Sequence, residues 1–444
     1  MDMDENYVPF EAQTMIRSRV VYLILITMIC LTGCWDNREV ETRAFVMTMG
    51  VDRSKDGNLE VIFRIAVPGN ISQRGGQGTP EGIREITKPI TVTARSIAEA
   101  IAIAGAIVER SLDFRHLRLI VFGEKLAKEG VGPYFDVLAR TPQFRRTVYI
   151  WVAKEGQARD IFLNNVPLLE KSISRWVEGI VRTVGEQGYS RIPTLHEFMT
   201  ETEGKNVSAT LPIVGINQVV QAEKEGEKVT PMPTDKYQEK TSPLTKEPPA
   251  KTTEDAPRSG GNPLEFLGIA IMHSGKMVEE WPGGDARIYD LIRDRYRRGF
   301  WTFTDPNEPT KTFTVELNRS RPPRVSIEWK GDRPDVFIEV SLEGNIREIV
   351  SYEPYVSTEN IHILEEEMEK RISEEIVTVV GKAQRKKVDP FYLARFLRTS
   401  IPTMQEYDDL DWESRFSTAR VSASANITIR RPGLQIQTPT PNPM

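Results

Sequence analysis

Alternation of apolar and polar residues predicts strands in the first half of the chain. Apolar side chains recur at every second position from Leu59 to Val67, and a second run precedes them from Ala44 to Val51. Asp56-Gly57 lies between the two runs and is a strong signal for a tight hairpin turn. Continuous apolar runs from Leu117 to Phe122 and from Thr147 to Ala153 are typical of strands covered on both faces.

A spacing of three to four residues predicts helices between and after these strands. Ser96 and Glu99 form a capping-box pattern that starts one helix, and a short helical segment is expected from Tyr134 to Arg140. A third apolar stripe consists of Leu169, Ile173, Trp176, Ile180 and Val184. A second capping box, Thr194 with Glu197, starts a further helix. We therefore expect a mixed sheet with helices, completed by a helical subdomain.

The second half shows a different order of patterns. It opens with a hairpin that turns at Ser274-Gly275 and continues with an amphipathic helix around Ile288. Three β-branched, alternating segments follow, FTVEL, RVSIEW and DVFIEVSLEGNIREIV, and predict an antiparallel meander. A single apolar stripe from Asn360 to Lys387 predicts a long helix that lies across this sheet, and a last strand is expected at 420–431.

Composition divides the chain into segments. Residues 221–260 are rich in Pro, Lys and Glu and nearly free of large apolar side chains, so they cannot offset the entropy of ordering. We predict an α/β (α+β) multidomain protein with mixed sheets. Its expected segments are a leader at 1–33, an α/β domain at 34–155, a helical subdomain at 156–219, a linker at 220–262, a C-terminal domain at 263–435 and a disordered tail at 436–444.

The beginning of the chain has the layout of a bacterial lipoprotein signal peptide. Arg17 and Arg19 precede an apolar run of 12 residues, Val20–Leu31, which is too short to cross a bilayer and suits a secretory signal. The sequence Leu-Thr-Gly-Cys then resembles a lipobox, whose cysteine is acylated, so Cys34 is the expected lipidation site and mature N-terminus. The acidic stretch before Met15 lacks the basic residues of a signal, which favours Met15 as the translation start.

Charge and motif content narrow the function. A net charge of −5 and a pI near 5.7 argue against nucleic-acid binding. The four histidines are scattered without ligand spacing, and no phosphate-binding or hydrolase motif is found. We predict no cofactor, no metal site and no enzymatic activity. After loss of Cys30 with the leader, Cys34 is the only cysteine, so no disulfide is expected.

Basic residues cluster in two neighbouring segments, 111–118 and 140–146. The favoured interpretation is a solvated face whose cations pair with Asp113 and Asp136, since exposed ion pairs of this kind are common. The alternative is a patch that attracts anionic lipid headgroups, which a tethered protein could keep close to the membrane.

The element Cys34-Trp35-Asp36-Asn37-Arg38-Glu39 behind a lipobox resembles the start of the Ger(x)C family, the lipoprotein C subunits of nutrient germinant receptors in bacterial endospores. The segments 111–140 and 389–416 are similar to its N- and C-terminal domains. The resemblance implies three α/β domains and a non-catalytic subunit. It would be lipid-anchored to the outer face of the spore's inner membrane and work with integral A and B subunits. Nutrients such as amino acids, sugars or nucleosides would trigger the complex.

Two questions stay open at this level. Trp35, Asp36, Arg38 and Glu39 either contact the membrane surface or a partner, or simply lead into the first strand. Two other classes of lipoprotein also share the lipobox. A solute-binding lipoprotein of a transporter needs two similar lobes, which these halves do not resemble, and a lipid-anchored hydrolase needs a catalytic constellation.

Overall fold

The computed structural model describes residues 19–23, 39–66, 87–154, 156–170, 172–217, 220, 260–351, 353–355 and 360–431. The chain forms two units, Met1–Arg43 and Ala44–Met444. In the first unit residues 19–23 are helical and Val40–Thr42 form a 3-10 turn. The lipobox, the Pro68–Gly82 segment, residues 221–259 of the linker and the tail lie outside the described residues. Within the described part, no helix combines the length and apolarity needed to cross a membrane.

Strands and helices alternate through most of the chain. The strands are β1 Arg43–Arg53, β2 Leu59–Ala66, β3 Thr87–Ala94, β4 Ser111–Asp113, β5 Leu119–Gly123, β6 Tyr149–Ala153, β7 Ala209–Ile216, β8 Leu264–His273, β9 Lys276–Pro282, β10 Arg298–Thr304, β11 Thr312–Lys330, β12 Arg333–Ile349 and β13 Arg420–Arg431. The α-helices are α1 Ile97–Ile107, α2 Glu124–Glu129, α3 Phe135–Arg140, α4 Ala158–Asn164, α5 Ile173–Gln187, α6 Leu195–Glu203, α7 Gly283–Ile292, α8 Ile361–Lys386, α9 Met404–Asp408 and α10 Trp412–Thr418.

The described residues form a nine-stranded mixed sheet and a four-stranded sheet, which confirms the predicted fold class. The first sheet has the order β3-β2-β1-β5-β6-β7-β8-β9, and β4 also pairs with β1. Strands β1, β5, β6 and β7 are parallel to one another, while β2, β3, β8 and β9 are joined to their neighbours by antiparallel pairing. The predicted hairpin at Asp56-Gly57 connects β1 to β2.

Both faces of the parallel strands are buried, as the continuous apolar runs indicated. Along β5, Ile120 and Phe122 join the core under α1, α2, α3 and α6, whereas Leu119 and Val121 join the core under α4 and α5. Alternate side chains of one strand therefore fill two separate layers.

Two details of the first half differ from the expectations. The segment 156–219 contains β7 in addition to helices, because a short continuous apolar run is compatible with a buried strand or a buried helix until its partners are known. The apolar spacing predicts Leu169 on a helical stripe, but α5 begins only at Ile173 after its N-cap, Ser172, and Leu169 is 94% exposed.

The hairpin predicted at Ser274-Gly275 is present, but it does not belong to the C-terminal sheet. Strand β8 pairs with β7 over the whole of Ala209–Ile216, and β9 then forms the last strand of the first sheet. The first sheet therefore continues past residue 263, where the C-terminal domain was expected to begin. Period-two patterning specifies which face of a strand is buried, yet it does not specify which sheet the strand joins.

The second sheet has the order β10-β11-β12-β13, and its first three strands form the predicted antiparallel meander. The segments FTVEL and RVSIEW are one long strand, β11, with irregular pairing around Arg319–Arg324, where Pro322 and Pro323 interrupt the register. Strand β13 runs parallel to β12, because α8 supplies the long crossover connection that a parallel pair requires.

Helix α8 covers one face of the second sheet and also protects its edge. The predicted stripe is buried from Leu364 through Met368 and Ile372 to Ala383, and Ile361 at its start is partly buried. Carboxylate oxygens of Glu369 and Glu365 accept hydrogen bonds from the backbone N–H groups of Ile427 (2.8 Å) and Ile429 (2.7 Å). Side chains of the helix thus satisfy N–H groups that β12 does not use and that would otherwise form an open strand edge.

We expect Glu369→Ala to lower the free energy of unfolding by about 1–3 kcal/mol, because the partly buried N–H group of Ile427 loses its acceptor. Glu369→Gln retains an acceptor oxygen and should cost less. Glu366 lies on the exposed side of the same helix, so Glu366→Ala serves as the control and should change stability by less than about 0.5 kcal/mol. Urea denaturation measures all three, and equal losses for Glu369→Ala and Glu366→Ala would contradict the edge-protecting role.

Candidate functional site: the leader end of the first sheet and the ion cluster beside the second

The residues predicted for lipidation and membrane contact fall at the border of what the structure describes. Cys34, Trp35, Asp36 and Arg38 lie outside the described residues. Glu39 is described and exposed, and its carbonyl oxygen accepts hydrogen bonds from the backbone N–H (3.1 Å) and the hydroxyl (2.8 Å) of Thr42. These bonds give Glu39 a local role at the start of a 3-10 turn, and its contact with a partner stays a prediction.

The parallel strands β1, β5 and β6 begin beside one another at one end of the first sheet, which we call the leader end because it contains the start of β1. The segments that enter β5 and β6 meet there. The ring of Phe45 lies 4.9 Å from the ring of His116, and Phe114 lies 4.9 Å from Phe144. The backbone N–H of Arg118 donates to the carbonyl of Met47 at 3.0 Å. The fold therefore brings the two basic segments, 111–118 and 140–146, together beside β1.

Part of the positive charge at the leader end is neutralised by ion pairs. Arg115 pairs with the buried Asp113, and Arg140 pairs with Asp136 at 2.7 Å. These are the two acids that the solvated-face interpretation named. Arg118 adds a pair with Glu178 at 3.4 Å.

A second polar cluster, which sequence reasoning missed, is buried around Glu201 of α6. Its Oε2 accepts a hydrogen bond from Arg191 at 2.7 Å, and its Oε1 accepts from Arg293 at 2.7 Å and from Arg295 at 3.2 Å. Arg191 and Arg293 have side chains only 6% and 5% exposed. Each carboxylate oxygen is thus used, and one glutamate bridges arginines that come from both halves of the chain.

Hydrogen bonds extend this ion cluster into the core. Arg191 also donates to the hydroxyl of Thr210 at 2.9 Å, and Arg295 donates to the hydroxyl of Tyr289 at 3.1 Å. The two hydroxyls lie 3.3 Å apart. The cluster therefore joins α6 and β7 of the first sheet to the segment that links α7 to β10 of the second.

The two acids of the ion cluster, Glu201 and Asp290, have pKa values shifted in opposite directions. Burial would raise the pKa of Glu201, but Arg191, Arg293 and Arg295 outweigh burial and lower that pKa below its ordinary value. Burial raises the pKa of Asp290 to about 7, and the same arginines oppose the rise without cancelling it. Glu201 is accordingly ionised at neutral pH, whereas burial favours the protonated form of Asp290.

Nothing in the one-dimensional pattern pointed to this cluster. Arg191 is 10 residues from Glu201 and Arg293 is 92 residues away. The one signal was the unusual density of arginine in RDRYRR, residues 293–298, which looks like an ordinary solvated turn. Among the described residues, no group of three His, Cys, Asp or Glu side chains is arranged to hold a metal ion.

Comparison with known protein families finds a match for each half of the chain. The family model described as the spore germination protein N-terminal domain matches residues 36–216, and the model described as spore germination B3/GerAC like, C-terminal, matches residues 267–433. The chain belongs to the Ger(x)C family of spore germination proteins. The family resemblance seen in the sequence is therefore confirmed.

Individual relatives have low sequence identity to this chain, but they match it over nearly its full length. Spore germination protein KC of Bacillus subtilis (strain 168) is 25% identical over 93% of this chain and 95% of its own. Spore germination protein GerQC of Bacillus cereus is 20% identical over 93% of this chain and 98% of its own. The crystal structure of the GerBC protein matches with a TM-score of 0.47 and 18% identity, covering 86% of this chain and 97% of that chain.

We expect Glu201→Gln to lower the free energy of unfolding by about 3–5 kcal/mol, because three arginines lose a buried counter-charge. Glu203→Gln, at an exposed position of the same helix, is the control and should be nearly neutral. Both effects are measured by denaturant titration between pH 3 and pH 7.

The pH dependence of this difference follows from the lowered pKa of Glu201. A lowered folded-state pKa gives stability that is complete above the ordinary value of 4.5 and is lost as the pH falls through the folded-state pKa. The wild type should therefore exceed Glu201→Gln by its full margin at pH 7 and approach it in strong acid. A margin that stays constant down to pH 3 would show that the charge of Glu201 is not responsible.

Proposed function

We propose that the chain is the lipid-anchored, non-catalytic C subunit of a nutrient germinant receptor. In this proposal diacylated Cys34 holds the protein on the outer face of the spore's inner membrane, beside integral A and B subunits. The observation that carries the proposal is the position of the family match, which begins at residue 36, two residues after the lipobox cysteine, and extends through the C-terminal half.

Physical chemistry supports a lipid anchor in place of a spanning helix. The apolar run of 12 residues before the lipobox is well short of the roughly 20 that cross a bilayer. A single acyl chain gives marginal attachment, whereas two chains give a stable one, at about 0.8 kcal/mol per buried CH2 group. Two acyl chains on Cys34 therefore suffice, and Trp35 and Arg38 would then lie at the level of the headgroups.

A non-catalytic role agrees with how two acids of the interior, Glu201 and Asp389, are used. Both oxygens of Glu201 accept hydrogen bonds from arginine. One oxygen of Asp389 accepts hydrogen bonds from the indole N–H of Trp412 (2.7 Å) and the backbone N–H of Leu393 (2.7 Å). These groups hold elements together, and a receptor subunit of this kind would act through its surfaces.

The alternative of a solute-binding lipoprotein finds less support. Such a protein requires two similar lobes, but the first sheet here is mixed and nine-stranded, and the second has three strands in a meander plus one parallel strand. No observation on the described residues favours this alternative over the receptor subunit.

The decisive experiment replaces Cys34 in a chromosomal copy of the gene. We expect spores with Cys34→Ala to lose the protein from the membrane fraction and to germinate at least tenfold more slowly in saturating nutrient mixture, because the acceptor thiol is gone. Cys30→Ala is the matched control, since Cys30 lies in the leader and leaves with it. Normal membrane retention together with normal germination of the Cys34→Ala spores would overturn the proposal.

A further inference from the structure

Helix α1 has an outward face without charge. Ile103 and Ile107 are 39% and 63% exposed, and Ala102 and Ala106 beside them are exposed as well. No charged residue occurs between Ala100 and Val108. A surface helix ordinarily carries polar residues on the side that faces water, so this face is suited to a surrounding other than water.

The apolar face of α1 ends at the leader end of the sheet. Strand β3 finishes at Ala94, which pairs with Leu59 of β2 at the opposite end, beside the β1–β2 hairpin. Helix α1 starts three residues later and contacts β3, β2 and β4 as it returns. The chain then enters β4, which pairs with β1. Ile103 and Ile107, in the last turns of α1, therefore lie toward the leader end.

Uncompensated cations occupy the same end. Arg110 follows α1, and Arg145 and Arg146 precede β6; all three are exposed and form no ion pair within the described part of the chain. The acids at this end, Asp113, Asp136 and Glu178, are already paired with other arginines, and Glu109 is next to Arg110. The β2–β3 connection, residues 67–86, lies outside the described residues.

We propose that the leader end docks on an anionic lipid surface, with Ile103 and Ile107 entering the boundary between headgroups and acyl chains and with Arg110, Arg145 and Arg146 binding lipid phosphates. This inference rests on the proposed anchoring at Cys34 and adds an orientation to it. Apolar side chains bordered by arginine are the combination that interfacial segments use. Docking fixes which face of the protein meets the membrane.

The length of the connecting chain permits this contact. Cys34 precedes Ala44 of β1 by ten residues, which span at most about 35 Å when fully extended. A lipid surface is favoured over a helix of a partner subunit, because a helix–helix contact would bury the apolar face without any use for the adjacent arginines. A partner helix becomes one of the outcomes of the experiment below.

The experiment uses the lipidated full-length protein, purified in detergent and reconstituted into vesicles of phosphatidylglycerol and phosphatidylcholine or of phosphatidylcholine alone. Since the mature chain carries no other free thiol, Ile107→Cys accepts a single environment-sensitive fluorophore. Lys55→Cys is the control position, because Lys55 lies exposed in the β1–β2 hairpin, at the end of the sheet opposite the leader end. Brominated lipids report contact of each probe with the acyl region.

We expect the probe at position 107 to be quenched in anionic vesicles and the probe at position 55 to stay in water. Arg145→Glu with Arg146→Glu, or 0.5 M NaCl, should remove most of the quenching at position 107. Arg145→Gln with Arg146→Gln should remove part of it. Lys55→Glu with Lys125→Glu is the matched charge control, because both lysines are exposed at the opposite end of the same strands, and this change should leave quenching intact.

The outcomes separate this inference from the proposed anchor. Protein that floats with the vesicles while the probe at position 107 stays in water would overturn the docking inference and leave the anchor standing. Wild-type protein that does not float would refute both. Equal quenching of the probe at position 107 in neutral and anionic vesicles would show that the arginines do not contribute to docking. Protection of position 107 only when the A and B subunits are co-reconstituted would replace the lipid by a partner helix.

Discussion

The junction between the two sheets depends on one buried carboxylate. Glu201 accepts hydrogen bonds from arginines that belong to the first half of the chain and to the segment leading into the second sheet. Three guanidinium groups near one carboxylate would repel one another without that charge, and their burial would be costly. Because the arrangement is satisfied only when both halves are in place, it ties the two sheets into one unit.

The continuous first sheet has two distinct ends. Its parallel strands begin together, so the start of β1, the basic segments and the exposed end of α1 lie at one end. The β1–β2 hairpin marks the other end.

In the second sheet, the β13 edge and the free portion of β11 are protected against pairing with strands of other molecules. Its β13 edge is occupied by glutamates and a serine of α8, and Pro322 and Pro323 interrupt β11 near its free portion. When the backbone groups of a strand edge are already hydrogen-bonded, or are interrupted by proline, contact with other proteins has to use side-chain surfaces. This agrees with a subunit that works by assembly, and with a family whose members are named for spore germination.

The sequence alone determined the local elements and the family, and it predicts a lipobox. Period-two and period-three-to-four patterns identified the strands and α8, and the element from Cys34 to Glu39 identified the family, because these signals lie within a few residues of one another. Tertiary structure decided that β8 and β9 extend the first sheet, that β13 runs parallel to β12, and that Glu201 meets Arg293. Pairing over tens of residues depends on which edges and charges remain unsatisfied after local folding, and no local pattern encodes that.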